Sequence, residues 1–141
     1  MIQKLGGVVA LLALLSPAGS VSAHHALQAQ FDTEKPLQLK GTLARIDWVN
    51  PHAYIWIDVK DDTGKVRQWG CETVGPTALR QAGFLRGPAS FRQGDTYTVE
   101  GFAARDGSDR VFTTAVHFPD GRKYQLWFGD PNASQGQAPA R

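Results

Sequence analysis

Ala53-Tyr54-Ile55-Trp56-Ile57-Asp58-Val59-Lys60 is the stretch that decides the fold. Apolar and polar side chains alternate through it. Ala53, Ile55, Ile57 and Val59 fall on one side; Tyr54, Trp56 and Asp58, with His52 just before them, fall on the other. A period of two belongs to a strand with one buried face. Asp61-Asp62-Thr63-Gly64 follows as a hairpin turn, and residues 66–73 read as the returning strand. Upstream, Leu37, Leu39, Leu43, Ile46 and Trp48 are spaced for a long first strand, with Gly41 as its bend or bulge and Asn50-Pro51 as its end. Residues 24–35 read as a polar lead-in.

Downstream, Gly75-Pro76 opens a short helix over 77–81, which Gly83 stops. Residues 96–104 and 111–118 are two further strands joined by Asp106-Gly107-Ser108-Asp109. In the last strand Phe112, Val116 and Phe118 are expected to face the core, with Val111, Thr113, Ala115 and His117 outward. Residues 123–128 add a short strand. Three strands, a helix and two strands are the order of an all-β, five-stranded OB-like barrel with its helix between strands three and four. The expected organisation is a signal segment over 1–23, one β-barrel domain over 24–128 and a flexible tail over 129–141 rich in Gly, Pro, Ala, Ser and Gln.

The signal reading rests on Lys4, the apolar run from Val8 to Leu15 and the small-residue exit Val21-Ser22-Ala23. The run is too short to span a membrane, which takes ~20 apolar residues. The expected location is therefore periplasmic or secreted, with no membrane span in the mature chain. Cleavage after Ala23 makes His24 the first residue. The 141-residue chain carries 15 basic and 13 acidic side chains. So balanced a charge gives no strong overall field toward nucleic acid or anionic lipid. The single cysteine, Cys71, allows no internal disulfide and reads as a small buried apolar residue.

Six segments recur together in one family. They are Ala23-His24-His25, Phe31-Asp32, Trp48-Val49-Asn50-Pro51-His52, Gly75-Pro76-Thr77-Ala78-Leu79, the run from Gly94 to Phe102, and Pro119-Asp120-Gly121-Arg122-Lys123. In that order and spacing, over residues 23–123, the chain resembles the bacterial domain of unknown function 6152 family of small exported proteins. The resemblance implies a secreted single β domain and no particular activity.

All four histidines lie beyond the signal segment. An N-terminal His24 offers an α-amine and an imidazole to one metal ion, and His25, His52 or His117 completes a site. Nitrogen ligands of this kind suit copper, the expected metal, or a similar transition metal. The first two ligands resemble the histidine brace of copper-dependent mono-oxygenases; nothing else in the chain does. The alternative is a carbohydrate- or protein-interaction module. It would use Tyr54 and Trp56 on the outward face of strand two with Trp48 and Glu72, extended by Arg67 and Trp69. No motif for a nucleophile, a zinc protease or a phosphate loop occurs. Asp47, Asp58 and Glu72 could gather near His52, but spacing does not bring them together. The chain reads as a binder of a metal, a small ligand or a periplasmic protein rather than as a catalyst.

Overall fold

A computed structural model describes residues 27–126. The signal segment, His24 and His25, Trp127 and the tail over 129–141 lie outside the described residues. The elements run β1 (Phe31–Asp47), β2 (Tyr54–Lys60), β3 (Val66–Glu72), α1 (Pro76–Gln81), β4 (Thr96–Ala104), β5 (Arg110–His117) and β6 (Lys123–Gln125), after a helical turn over 27–30. The sheet order is β3-β2-β1-β4-β5-β6, with a further parallel pairing of β3 to β5. That pairing returns the first five strands on themselves, and the all-β class expected from the element order holds. β6 extends the free end of β5. No helix among the described residues is long and apolar enough to cross a membrane.

The alternation of β2 sets the inside of the ring. Ala53, Ile55 and Ile57 are fully buried, together with Cys71, Val99, Val111 and Val116. Leu79 of α1 and the aromatic group Phe84, Phe91, Tyr97 and Phe118 close one end. Pro76 supplies the fixed φ that opens α1, and Gly83 leaves it at φ +91°.

β1 starts at Phe31, well before the expected Leu37. Residues 31–36 pair with β4 through an irregularity, where Pro36 needs no ladder N–H. The bulge of β1 falls between Leu43 and Arg45, not at Gly41. Gly41 instead allows close approach, since a Cβ there would lie 2.8 Å from the Asp58 carbonyl.

β5 corrects a second expectation. Glu100 pairs with Ala115 and Gly101 with Thr113, so Thr114 is the extra residue of a bulge. The bulge shifts the alternation by one. Val111 and Thr113 therefore point inward before it, and Val116 and Phe118 after it, while Phe112 packs outside on Phe31 at 5.7 Å. His117 faces outward as expected. Gly101 is required here: a Cβ would fall 2.0 Å from the Phe112 carbonyl.

Candidate functional site

The site is a buried carboxylate shared by three strands. His52 precedes β2 by two residues from Tyr54 and so lies on the same outward side as Tyr54 and Trp56. Tyr54 is opposite Glu72, the last residue of β3, and Trp56 is opposite Gly70. β5 approaches β3 from the other edge, with Arg110 level with Gly70. Ring closure thus brings the ends of β2, β3 and β5 onto one patch.

The Glu72 side chain is only 8% exposed. Its Oε2 accepts from the Tyr54 hydroxyl at 3.2 Å and from Arg110 Nη2 at 3.2 Å. Its Oε1 meets Nδ1 of His52. A buried carboxylate is costly unless paired and hydrogen-bonded, and here every oxygen has a partner and Arg110 supplies the countercharge. Burial, then the charge of Glu72 and the hydrogen bond to it, push the Tyr54 phenol above its usual value, and Arg110 offsets part of this. Tyr54 therefore stays a proton donor to Glu72.

His52 differs in being accessible: its side chain is 46% exposed. With Nδ1 donated to a carboxylate, the neutral ring presents Nε2 as its lone-pair nitrogen. A carboxylate behind one ring nitrogen is the usual support of a metal-binding or proton-accepting histidine.

The aromatic side chains have other partners. Trp56 lies over Gly70, where a Cβ would come within 3.0 Å of the indole. Arg45 crosses it, its guanidinium 4.3 Å from the ring centroid and its Nη1 donating to Gln68 of β3 at 3.1 Å. Trp56 Nε1 donates to Asp47 at 2.7 Å, and the ring stacks on Tyr54 at 6.3 Å. Trp48 carries Arg86, 5.7 Å from its ring, which also donates to the Trp48 carbonyl. Arg67 and Trp69 do not extend this surface. They share the side of Cys71, the opposite face of β3, and Arg67 pairs with Asp109.

The expected residues thus divide. His52, Tyr54 and Glu72 meet, with Trp56 beside them. Asp47 is taken by Trp56 and Asp58 by Gln68. His117 belongs to another cluster, where Glu100 accepts from it at 2.6 Å and from Lys123 at 2.8 Å. Among the described residues, no group of three or more His, Cys, Asp or Glu could hold a metal ion. Cys71 is buried, its thiol pushed up to about 12 by burial, and takes no part.

Arg110 is the member that sequence reading missed. It stands at the start of β5 after a turn and looks like any solvated turn residue. The one available signal was topological, because a closed ring sets the start of strand five beside the end of strand three.

No curated protein matches the chain. A sequence model of a family of unknown function, DUF6152, matches residues 11–113. That span covers His52, Tyr54, Glu72 and Arg110 and stops before His117. The matched segment runs through the first four strands and into the fifth, and on it the chain belongs to the family of unknown function DUF6152.

Proposed function

We propose that this is an exported domain that binds a transition metal, copper first among them, through His52 Nε2 and the two histidines that signal removal would place at its N-terminus. Residues 1–23 direct export in this reading, and His24 then contributes its amine and ring, with His25 beside it. The observation that carries the proposal is the Glu72–His52 pair: an accessible imidazole whose other nitrogen is held by a buried carboxylate. Chain geometry supports it. Phe31 lies 6.0 Å below the Arg110 guanidinium, and Arg110 touches Glu72, which touches His52. The helical turn over 27–30 advances ~1.5 Å per residue and two extended residues before it add ~7 Å, so His25 can lie ~13 Å from Phe31. The interaction-module reading has less support, because Trp56 and Trp48 both carry an arginine on the ring.

The test is a copper(II) titration followed by paramagnetic resonance, on chain produced by export with its N-terminus identified by mass spectrometry. One tight equivalent with nitrogen hyperfine structure is expected, weakened at least tenfold by His52→Ala. A Gly-Pro extension ahead of His24 should abolish it, since it removes the amine and inserts a nitrogen with no proton to lose. Binding that ignores both changes refutes the site.

A further inference from the structure

Balanced overall charge conceals a strong local imbalance. Between Glu72 and Asp95 there is no acidic residue, and the segment carries Arg80, Arg86 and Arg92. Among the described residues, every other arginine is in an ion pair: Arg45 with Asp47, Arg67 with Asp109, Arg105 with Asp32, Arg110 with Glu72 and Arg122 with Asp120. Among the described residues Arg80, Arg86 and Arg92 have none; Arg80 donates to Thr77 and Arg86 to the Trp48 carbonyl. All three sit on the segment that caps one end of the ring.

The same end carries the largest exposed aliphatic groups of the loops. Leu85 is 58% exposed and Val49 is 48% exposed. They belong to one patch, because Arg86, next to Leu85, stacks on Trp48, next to Val49. Leu85 is held outward by construction. Phe84 and Phe91 on either side of its loop are anchored in the core against each other at 5.3 Å, and the Leu85 N–H donates to Ser90 Oγ at 2.8 Å. Leu85 is thus exposed on a loop whose two flanks are anchored in the core.

We infer that this capping end is a peripheral docking surface for anionic lipid headgroups. Aliphatic tips beside a tryptophan, on a segment whose arginines have no ion pair among the described residues, are what an interfacial contact requires. Each basic residue near an anionic surface contributes enough to change partitioning about fivefold, so three together give on the order of a hundredfold. A tip that projects suits a bilayer, whereas a protein partner would need a hollow to receive it. The proposal does not rest on metal binding and its test needs no metal.

The experiment is sedimentation with vesicles of phosphatidylethanolamine and phosphatidylglycerol, against vesicles of phosphatidylcholine, at about 0.05 M salt, where charge is least screened. The exported chain should bind the anionic vesicles and not the neutral ones. The triple change Arg80→Gln, Arg86→Gln, Arg92→Gln should lower partitioning at least tenfold. The triple change Lys40→Gln, Lys60→Gln, Lys65→Gln removes the same charge elsewhere and should lower it less than threefold. Leu85→Ser should lower it severalfold at unchanged charge. All these positions but Leu85 are exposed polar ones, and a thermal melt checks that each variant folds. Equal losses in the two triple variants would reduce the effect to net charge and overturn the surface. So would no binding to anionic vesicles, or polyglutamate displacing the protein while Leu85→Ser changes nothing.

Discussion

Glu72 and Arg110 are unequal partners, and the inequality is measurable. The glutamate is 8% exposed on its side chain and the arginine 42%. Removing Arg110 leaves a buried carboxylate without its countercharge; removing the charge of Glu72 leaves an arginine that water can reach. The cost of breaking a buried pair comes mainly from the partner left behind. Arg110→Ala should therefore cost about 2–3 kcal/mol in urea unfolding, and Glu72→Gln about 1 kcal/mol, since an amide keeps the Tyr54 contact. The reverse order would mean that Arg110 is not what makes the carboxylate tolerable in that position. Glu72→Gln has a second consequence at His52, because an amide is a weaker acceptor than a carboxylate for Nδ1–H. Copper affinity should fall about tenfold or more with that change while the ligand itself is intact.

Among the elements, β6 is the least secured, with three residues paired to β5 alone. Its outer fastening is Glu100, which accepts from Lys123 on β6 and His117 on β5. The hydrogen bond from Lys123 comes first and that from His117 second in holding the Glu100 carboxyl below its usual value. A carboxyl whose folded value is depressed contributes stability above its unfolded value of 4.5, and that contribution disappears as pH falls through the lower folded value. The group is 29% exposed, so its worth is at most about 1 kcal/mol. Wild type should lose this increment as pH falls below about 5 through the lowered folded value, and Glu100→Gln should show a flatter profile over the same range by urea unfolding. Parallel profiles would remove Glu100 from the acid response. The elements also show where sequence reading works. β2, β3, α1 and β4 were legible because alternation, turn residues and a Pro-Gly bracket are local signals. The inward side of β5 was not, since a bulge at Thr114 is set by the partner strand and by Gly101, far away in sequence. The start of β1 hid behind Pro36, which reads as a boundary but sits on an edge. At the candidate site, His52, Tyr54 and Trp56 shared one strand face and could be grouped by period. Arg110 required ring closure, and the arginines covering Trp56 and Trp48 required three-dimensional neighbours that no spacing rule supplies.

For the molecule as a whole, metal binding and folding should be coupled through the N-terminus. The described domain holds Phe31 against Phe112 and beneath Arg110, so the chain enters β1 beside the Glu72 cluster. A metal held jointly by His52 and the residues that precede this entry would tie the start of the chain to the ends of β2 and β3. Such a ligand binds the folded form more tightly, because the unfolded chain keeps His24 and His25 together but loses the fixed His52. At a free metal concentration about a hundred times its dissociation constant for the folded form, it should stabilise the fold by at most ~2.7 kcal/mol, less what the unfolded chain binds. For a domain of this size, that caps the rise in melting temperature at roughly 10 °C. Three samples decide it: chain beginning at His24, the same chain with a Gly-Pro extension, and His52→Ala beginning at His24. Without metal the extended chain should melt with the first, while His52→Ala should melt lower because it leaves Glu72 Oε1 without its partner, so the readout is the rise that copper adds to each sample. With copper only the first should rise in full. A rise in the extended chain equal to that of the first would place the metal away from the amine. An equal rise in His52→Ala would detach it from Glu72 and from the ring closure that holds Glu72 in place.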